Sequence, residues 1–342
     1  MSDERDTRLP LAPWLQRQLD NLLSQRGHAW LLQGPSGLGQ YPLGLALVEA
    51  WLCDAPTPHG ACGQCASCHA VRVRTHPDLM VLMPETALLA LGWPLSEKAQ
   101  SEIDDKKRKA SREIRVEAMR EAVQFAQRTS SRGRGKAVLV YPAEDMNHIT
   151  ANALLKTLEE PPGDVRFVLA SEAAHQLLPT IRSRCLTHSL VWPGADEAGH
   201  WLAGQGLPGA AASVLLRAAG GRPEDALMLA AEGLTPESWA QLPRALLRGD
   251  PGVLANWPAA RNIQSLQKIC HDLLAMASGA APRYFAANEL PRPPAHKVLL
   301  RWARSLSEAA RTADHPYNPG LMLEALVSEA QIALNSATES TP

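Results

Sequence analysis

The sequence predicts an α/β domain built on a mostly parallel sheet, followed by an all-helical C-terminal part. Three observations carry that expectation. Strand-like apolar runs alternate with helical patterns as far as residue 191. A glycine-rich loop, Gly34-Pro35-Ser36-Gly37-Leu38-Gly39-Gln40-Tyr41, joins the first such run to a helical pattern, the place where a phosphate-binding loop belongs. Beyond Trp192-Pro193-Gly194 strand patterns vanish, and apolar residues recur only at helical spacing.

The bulk properties set limits. A chain of 342 residues is long for one domain and gives a prior of two or three. Its 45% apolar and 20% charged residues are ordinary for a globular protein, and a formal charge of −1 excludes a global pull toward nucleic acid or membrane. Met1-Ser2-Asp3-Glu4-Arg5-Asp6 lacks the apolar core of a signal peptide, and no run approaches the ~18 apolar residues of a spanning helix. A cytoplasmic protein with no membrane partner is expected. Six cysteines in that compartment argue for metal binding or free thiols over disulfides.

Each element has its own signal. Residues 9–28 read as a short helix with Leu15, Leu19, Leu22 and Leu23 on one face, and Ala29 to Gln33 as the first strand. A helix starting at Pro42 is apolar on nearly every side and is expected to be buried against the sheet. The second strand is Asp78 to Met83. From Pro84 to about Glu113 the pattern is lost and a charge run, Glu102 to Arg115, reads as a solvated loop or helix, with a nucleic-acid patch as the alternative. Helical spacing returns with Val116, Met119, Val123 and Ala126. Basic residues of the turn Ser130 to Lys136 are read as solvated, with phosphate contact as the alternative. Ala137 to Tyr141 is the third strand. The helix Ala151 to Glu160 is stopped by Pro161-Pro162. Arg166 to Ser171 and Leu186 to Val191 are the last strands, with a short helix near Leu177 to Ile181 between them. Three short helices follow, 196–202, 210–218 and 223–231, and a bundle from about Pro236.

Two stretches carry chemistry. Cys53 precedes Cys62-Gly63-Gln64-Cys65-Ala66-Ser67-Cys68. Two overlapping C-x-x-C turns gather three thiolates, and Cys53 supplies a fourth, which fits a closed tetrahedral zinc site with no open position for water. The site is therefore read as structural. A redox C-x-x-C pair is the alternative, and His59, His69 and His76, each read as a surface residue, are the substitute ligands.

The glycine loop keeps Gly34, Gly37 and Gly39 but has Gln40 where a lysine reaches the β/γ-phosphates and Tyr41 where a Ser or Thr hydroxyl holds magnesium. After the third strand Pro142 takes the first position, with Glu144 and Asp145 nearby, so the acidic magnesium-binding element is also incomplete. The loop is expected not to bind ATP productively. Rival readings are a P-loop ATPase using a lysine from elsewhere, for which no residue stands out, and a zinc-dependent nucleic-acid-binding module. The latter lacks a basic, aromatic-studded stretch.

Together these stretches resemble the delta-prime family of bacterial clamp-loader subunits of DNA polymerase III. The most specific parts are Ala151-Asn152-Ala153-Leu154-Leu155-Lys156-Thr157-Leu158-Glu159-Glu160-Pro161-Pro162, Ser183-Arg184-Cys185, the four cysteines and Gly27-His28-Ala29. Gly221-Arg222-Pro223 looks like the family's second sensor region, and Asn318 to Glu324 like the start of a bundle helix in related subunits. The resemblance implies a P-loop NTPase domain of the ring-forming AAA+ kind over 1–191, with the zinc knuckle inserted at 53–68. It further implies a helical lid over 192–235 and a helical collar over 236–342. It implies a non-hydrolysing stator that helps load the sliding clamp onto primer-template DNA. Its partners would be ATPase subunits of the gamma/tau type and a delta-type subunit. Arg184 would be an arginine finger given in trans to a neighbour's ATP site, where such residues are worth ~10³ to 10⁵ in rate; apart from the resemblance, the residue reads as a member of a surface ion pair.

Overall fold

The computed structural model describes residues 11–313 and 318–336. Two compact units divide the chain after Trp192.

The first unit runs α1 (Pro13–Leu23), β1 (Ala29–Gln33), α2 (Gln40–Leu52), α3 (Ala66–Arg72), β2 (Leu79–Leu82), α4 (Glu85–Ala90), α5 (Glu97–Asp104) and α6 (Val116–Gln127). It continues with β3 (Lys136–Val140), α7 (His148–Glu159), β4 (Val165–Ser171), α8 (Pro179–Arg182) and β5 (Leu186–Ser189). All five strands are parallel, in the order β2-β3-β4-β1-β5. The central strands are buried on both faces, as a parallel sheet requires. On one face Leu31, Val138, Val140, Phe167 and Leu169 pack with Met119 and Ala122 of α6 and with Leu154 and Leu158 of α7. On the other, α2 lies so close that a Cβ on Gly44 would sit 2.9 Å from Leu139, 3.3 Å from Val168 and 3.6 Å from Leu32. That approach explains a glycine inside a buried helix.

Segment 84–113, patternless by sequence, contains α4 and α5. Ser96 caps α5 by accepting the Ala99 N–H. Arg108 joins Glu85 of α4 to Glu102 of α5, with Nη2 to Glu85 Oε1 at 2.8 Å and Nε to Glu102 Oε2 at 2.7 Å. Ion pairing across the segment, which a hydrophobic period cannot reveal, orders these short helices. In the turn before β3, Arg132 and Arg134 are exposed as expected, but the last basic residue of the run is not solvated. Lys136 is buried, its Nζ 3.1 Å from the fully buried Asp78 carboxylate and 4.0 Å from the Phe125 ring centroid.

The second unit is helical throughout its described residues: α9 (Ala195–Gly204), α10 (Gly209–Ala218), α11 (Pro223–Ala231), α12 (Pro236–Leu247), α13 (Ala259–Ala277), α14 (His296–Arg311) and α15 (Pro319–Leu334). One core joins short and long helices, from Leu202 and Leu215 through Trp239 and Ile269 to Trp302 and Leu326. The segment between α13 and α14 is tied down by Asp272, whose buried carboxylate accepts the N–H groups of Arg283, Tyr284 and Phe285 at 2.7–2.9 Å. Phe285 then stacks on Trp239 at 4.5 Å. Arg222, at the N-terminus of α11, is paired with Asp225 at 2.9 Å and donates to the Ala219 carbonyl.

Candidate functional site

The glycine loop lies between β1 and α2, with Gly37 at φ 74° and Gly39 at φ 95°, left-handed conformations that favour glycine. Gly34 N–H donates to the Ser171 carbonyl of β4. The first residue of α2 is Gln40, two positions earlier than the sequence pattern suggests, and it is buried. Its Nε2 donates to the carbonyls of Gly34 at 2.6 Å and Pro35 at 2.7 Å. Both amide protons thus close the loop upon itself. Tyr41 accepts from the Trp93 indole N–H at 2.7 Å, and its ring lies 5.3 Å from that of Tyr141 at the end of β3.

The two carboxylates after β3 are also engaged or suppressed. Glu144 accepts the Glu172 N–H at 2.9 Å, and Glu172 accepts the Tyr141 hydroxyl at 2.7 Å. Burial, with the nearby charges of Glu144 and Glu113, pushes the Asp145 carboxyl above its ordinary value.

The structure brings the four predicted cysteines together, all four sulfurs lying within 4.8 Å of one another. Cys53 caps the end of α2, Cys65 caps the start of α3 and Cys68 lies in its first turn. Four of the Sγ separations are 3.8 Å (Cys53–Cys65), 3.9 Å (Cys62–Cys68), 3.5 Å (Cys65–Cys68) and 3.7 Å (Cys53–Cys68). Backbone N–H groups point at the sulfurs, from Cys62 to Cys53 at 3.3 Å and from Cys68 to Cys65 at 3.4 Å. The N–H groups of Gln64 and Cys65 lower the Cys62 thiol to about 6, whereas burial raises Cys53 and Cys68. This donor set can bind a metal ion, which favours the deprotonated form of each thiol. His59 and His69 are exposed, and His59 pairs with Asp20. His76, expected at the surface, is buried by its neighbours, with its Nδ1 accepting the Asp78 N–H at 3.1 Å. Cys185 and Cys270 stand apart as thiols that burial pushes up to about 12.

Supporting residues around the cysteines escape a reading by motif. Asp54 accepts the Ser67 hydroxyl at 2.7 Å and the Arg132 guanidinium at 3.2 Å, linking the cysteine turn to the turn before β3. Asp78 accepts from Ser131 N–H at 2.8 Å, Arg132 N–H at 2.9 Å, Ser130 hydroxyl and Lys136. Burial raises its carboxyl, but these donors outweigh burial and hold it below its ordinary value. The signal in sequence was the aspartate itself, polar at the head of an apolar strand.

Arg184 follows α8. Its Nη2 and Nε donate to Glu159 Oε2 at 2.9 and 3.1 Å, and Nη1 donates to the Thr180 carbonyl at 3.0 Å. The arginine side chain is 30% exposed and the glutamate 60%.

The family model described as DNA polymerase III, delta subunit, matches residues 13–192. DNA polymerase III subunit delta′ of Pseudomonas aeruginosa is 39% identical over 231 residues, which cover 65% of this chain and 62% of that protein. Its counterpart in Escherichia coli K12 is 31% identical over 302 residues, 86% and 83% of the two chains. The Yersinia pestis protein of the same name is 30% identical over 361 aligned positions, 96% and 98%. By these matches, over a parallel sheet with its glycine loop and an all-helical second unit, the chain belongs to the delta′ family of DNA polymerase III subunits.

Proposed function

We propose that this chain is the non-hydrolysing stator of a clamp loader, joining ATPase subunits and a delta-type subunit to load the sliding clamp onto primer-template DNA. The observation that carries the reading is the Gln40 side chain, bound to the loop's own carbonyls. Where a catalytic loop extends a cation to the phosphates, this one has a neutral amide turned back into the fold. Tyr41 packs against Trp93 and Tyr141 at the position of the magnesium-holding hydroxyl. Glu144 is bound to the Glu172 backbone. Gly34, Gly37, Gly39, Gln40 and Tyr41 then form a scaffold for the subunit rather than a productive ATP site.

The catalytic contribution is a guanidinium given to a neighbour. Arg184 meets solvent on one side and Glu159 on the other, so exchanging an exposed ion pair for a γ-phosphate costs little. At that phosphate the cation offsets charge that develops during transfer. Zinc is the metal proposed for Cys53, Cys62, Cys65 and Cys68. A tetrahedral ion ~2.3 Å from each sulfur sets the sulfurs ~3.8 Å apart, close to the separations of 3.5, 3.7, 3.8 and 3.9 Å. Such an ion supplies a cross-link between the end of α2 and the start of α3.

The test is reconstitution of the complex with Arg184→Ala. Assembly should persist while DNA-stimulated ATP turnover falls, by ~10³ or more at the site served. An intact complex with unchanged turnover would remove the finger role.

A further inference from the structure

β2 is an edge strand, paired with β3 alone. In a parallel ladder successive residues turn their N–H and C=O groups to opposite sides. Ala137 N–H donates to the Asp78 carbonyl at 2.9 Å and Tyr141 N–H to the Leu82 carbonyl at 3.0 Å. Asp78, Met80 and Leu82 therefore face β3, and Val81 turns its backbone groups to the open edge. Among the described residues Val81 has no backbone partner outside the β2–β3 ladder. An open edge is a template for a further strand, and proteins commonly block it with a bulge, a proline or a covering element.

Here the edge opens onto a cavity. It measures about 510 Å³ and is bounded by β2, α5, α6 and the segments between them. This lies within the ~300–1,000 Å³ range of ligand clefts. The apolar lining comes from Met80, Leu82, Leu88, Pro94, Leu95 and Ala99. The charged lining is lopsided. Arg108 is held by Glu85 and Glu102, and Arg115 lies 3.4 Å from Glu85. The remaining charged lining is Lys98 and the exposed carboxylates of Glu113, Glu117 and Glu121, which recur every four residues. Glu113 also accepts from Asn147 Nδ2 at 3.2 Å.

We propose that this groove binds an extended segment of a partner polypeptide in which apolar residues alternate with Lys or Arg, added to β2 as a sixth strand. The free backbone of Val81 supplies the ladder. The period of two sends alternate side chains to the α6 face, where Met80 and Leu82 lie beside Glu117 and Glu121 and a Lys stem can cover apolar surface while its ammonium reaches a carboxylate, and the intervening apolar residues to the other face. The same carboxylates repel a phosphate backbone, so the charge complementarity selects a basic peptide over a nucleic acid. Ion pairing at Arg108 holds α4 and α5 as one wall of the groove, giving the 84–113 segment a use that the clamp-loader reading does not require.

The test uses the full chain and a fluorescein-labelled decapeptide alternating Lys and Val, followed by fluorescence anisotropy at low salt. Saturable binding is expected, with slowed hydrogen exchange at the Val81 amide. Glu117→Lys with Glu121→Lys should weaken it by ~10-fold or more while the chain stays folded by circular dichroism, since both residues are exposed. A peptide with proline at two adjacent central positions, one Lys and one Val, loses a ladder donor whichever set faces β2 and should not bind. Absence of binding by the Lys/Val peptide, equal binding by the proline peptide or by a Glu/Val peptide, or Val81 protection unaltered by peptide would each overturn the proposal. Self-association that protects Val81 without peptide would assign the edge to a second copy and overturn it as well.

Discussion

The glycine loop and the cysteine turn lie at opposite ends of one helix, α2, and they differ in what their polar atoms meet. At the N-terminal end the side chains at the key positions have internal partners: Gln40 with Gly34 and Pro35, Tyr41 with Trp93, Glu144 through one oxygen with Glu172. At the C-terminal end four sulfurs converge on one another at the separations of a tetrahedral ligand shell. On the proposed reading, a glycine scaffold outlives its chemistry when its polar side chains are satisfied within the fold. A four-thiol cluster gains its full cohesion from an ion, and the two ends of α2 should respond differently to the same perturbations.

The largest effect is expected beneath the cysteine turn. Asp78→Ala leaves Lys136 buried without its counter-ion, which costs ~3–5 kcal/mol, and chemical denaturation should read that loss. Pairing it with Lys136→Met should recover much of the difference. The same carboxylate sets a pH response. Its folded pKa lies below the ordinary value, so its contribution is complete above the unfolded pKa near ~3.9. The contribution is lost as pH falls through the folded value. Stability measured downward from pH 5 should drop less steeply in Asp78→Ala than in the parent.

Metal removal sharpens the comparison next. Losing an ion present at ~100 times its Kd costs about 2.7 kcal/mol. That corresponds to roughly 5–10 °C in a domain of this size, read by calorimetry with and without a chelator. Cys68→Ser should abolish the bound metal by elemental analysis and remove the chelator's effect. At the other end, Gln40→Ala strands the Gly34 and Pro35 carbonyls and should cost ~1–3 kcal/mol, with no dependence on chelator. The smallest change is expected from Arg132→Ala. Its pair with Asp54 is exposed on both sides, 34% and 36%, so the melting temperature should stay within error.

Residues whose role is set by spacing were legible in the sequence. The run Ala29–Gln33 is β1 as the pattern predicts, Val116 and Met119 begin α6, and the two C-x-x-C turns do bring their sulfurs together. Residues whose role is set by a distant partner were not legible. Glu85 and Arg108 are 23 positions apart, Asp78 and Lys136 58 apart, and neither pairing leaves a mark on local periodicity. His76 shows the same limit, since burial by its neighbours rather than its own polarity decides its exposure. The substitutions at Gln40 and Tyr41 could be seen in the sequence, but the backward turn of the Gln40 amide needed coordinates.

The measurement that bears most directly on the central claim is ATP turnover by the purified chain alone with magnesium. The self-closed loop predicts no turnover above background. Robust magnesium-dependent hydrolysis by the isolated chain, abolished by substitution within the Gly34–Tyr41 loop, would contradict it.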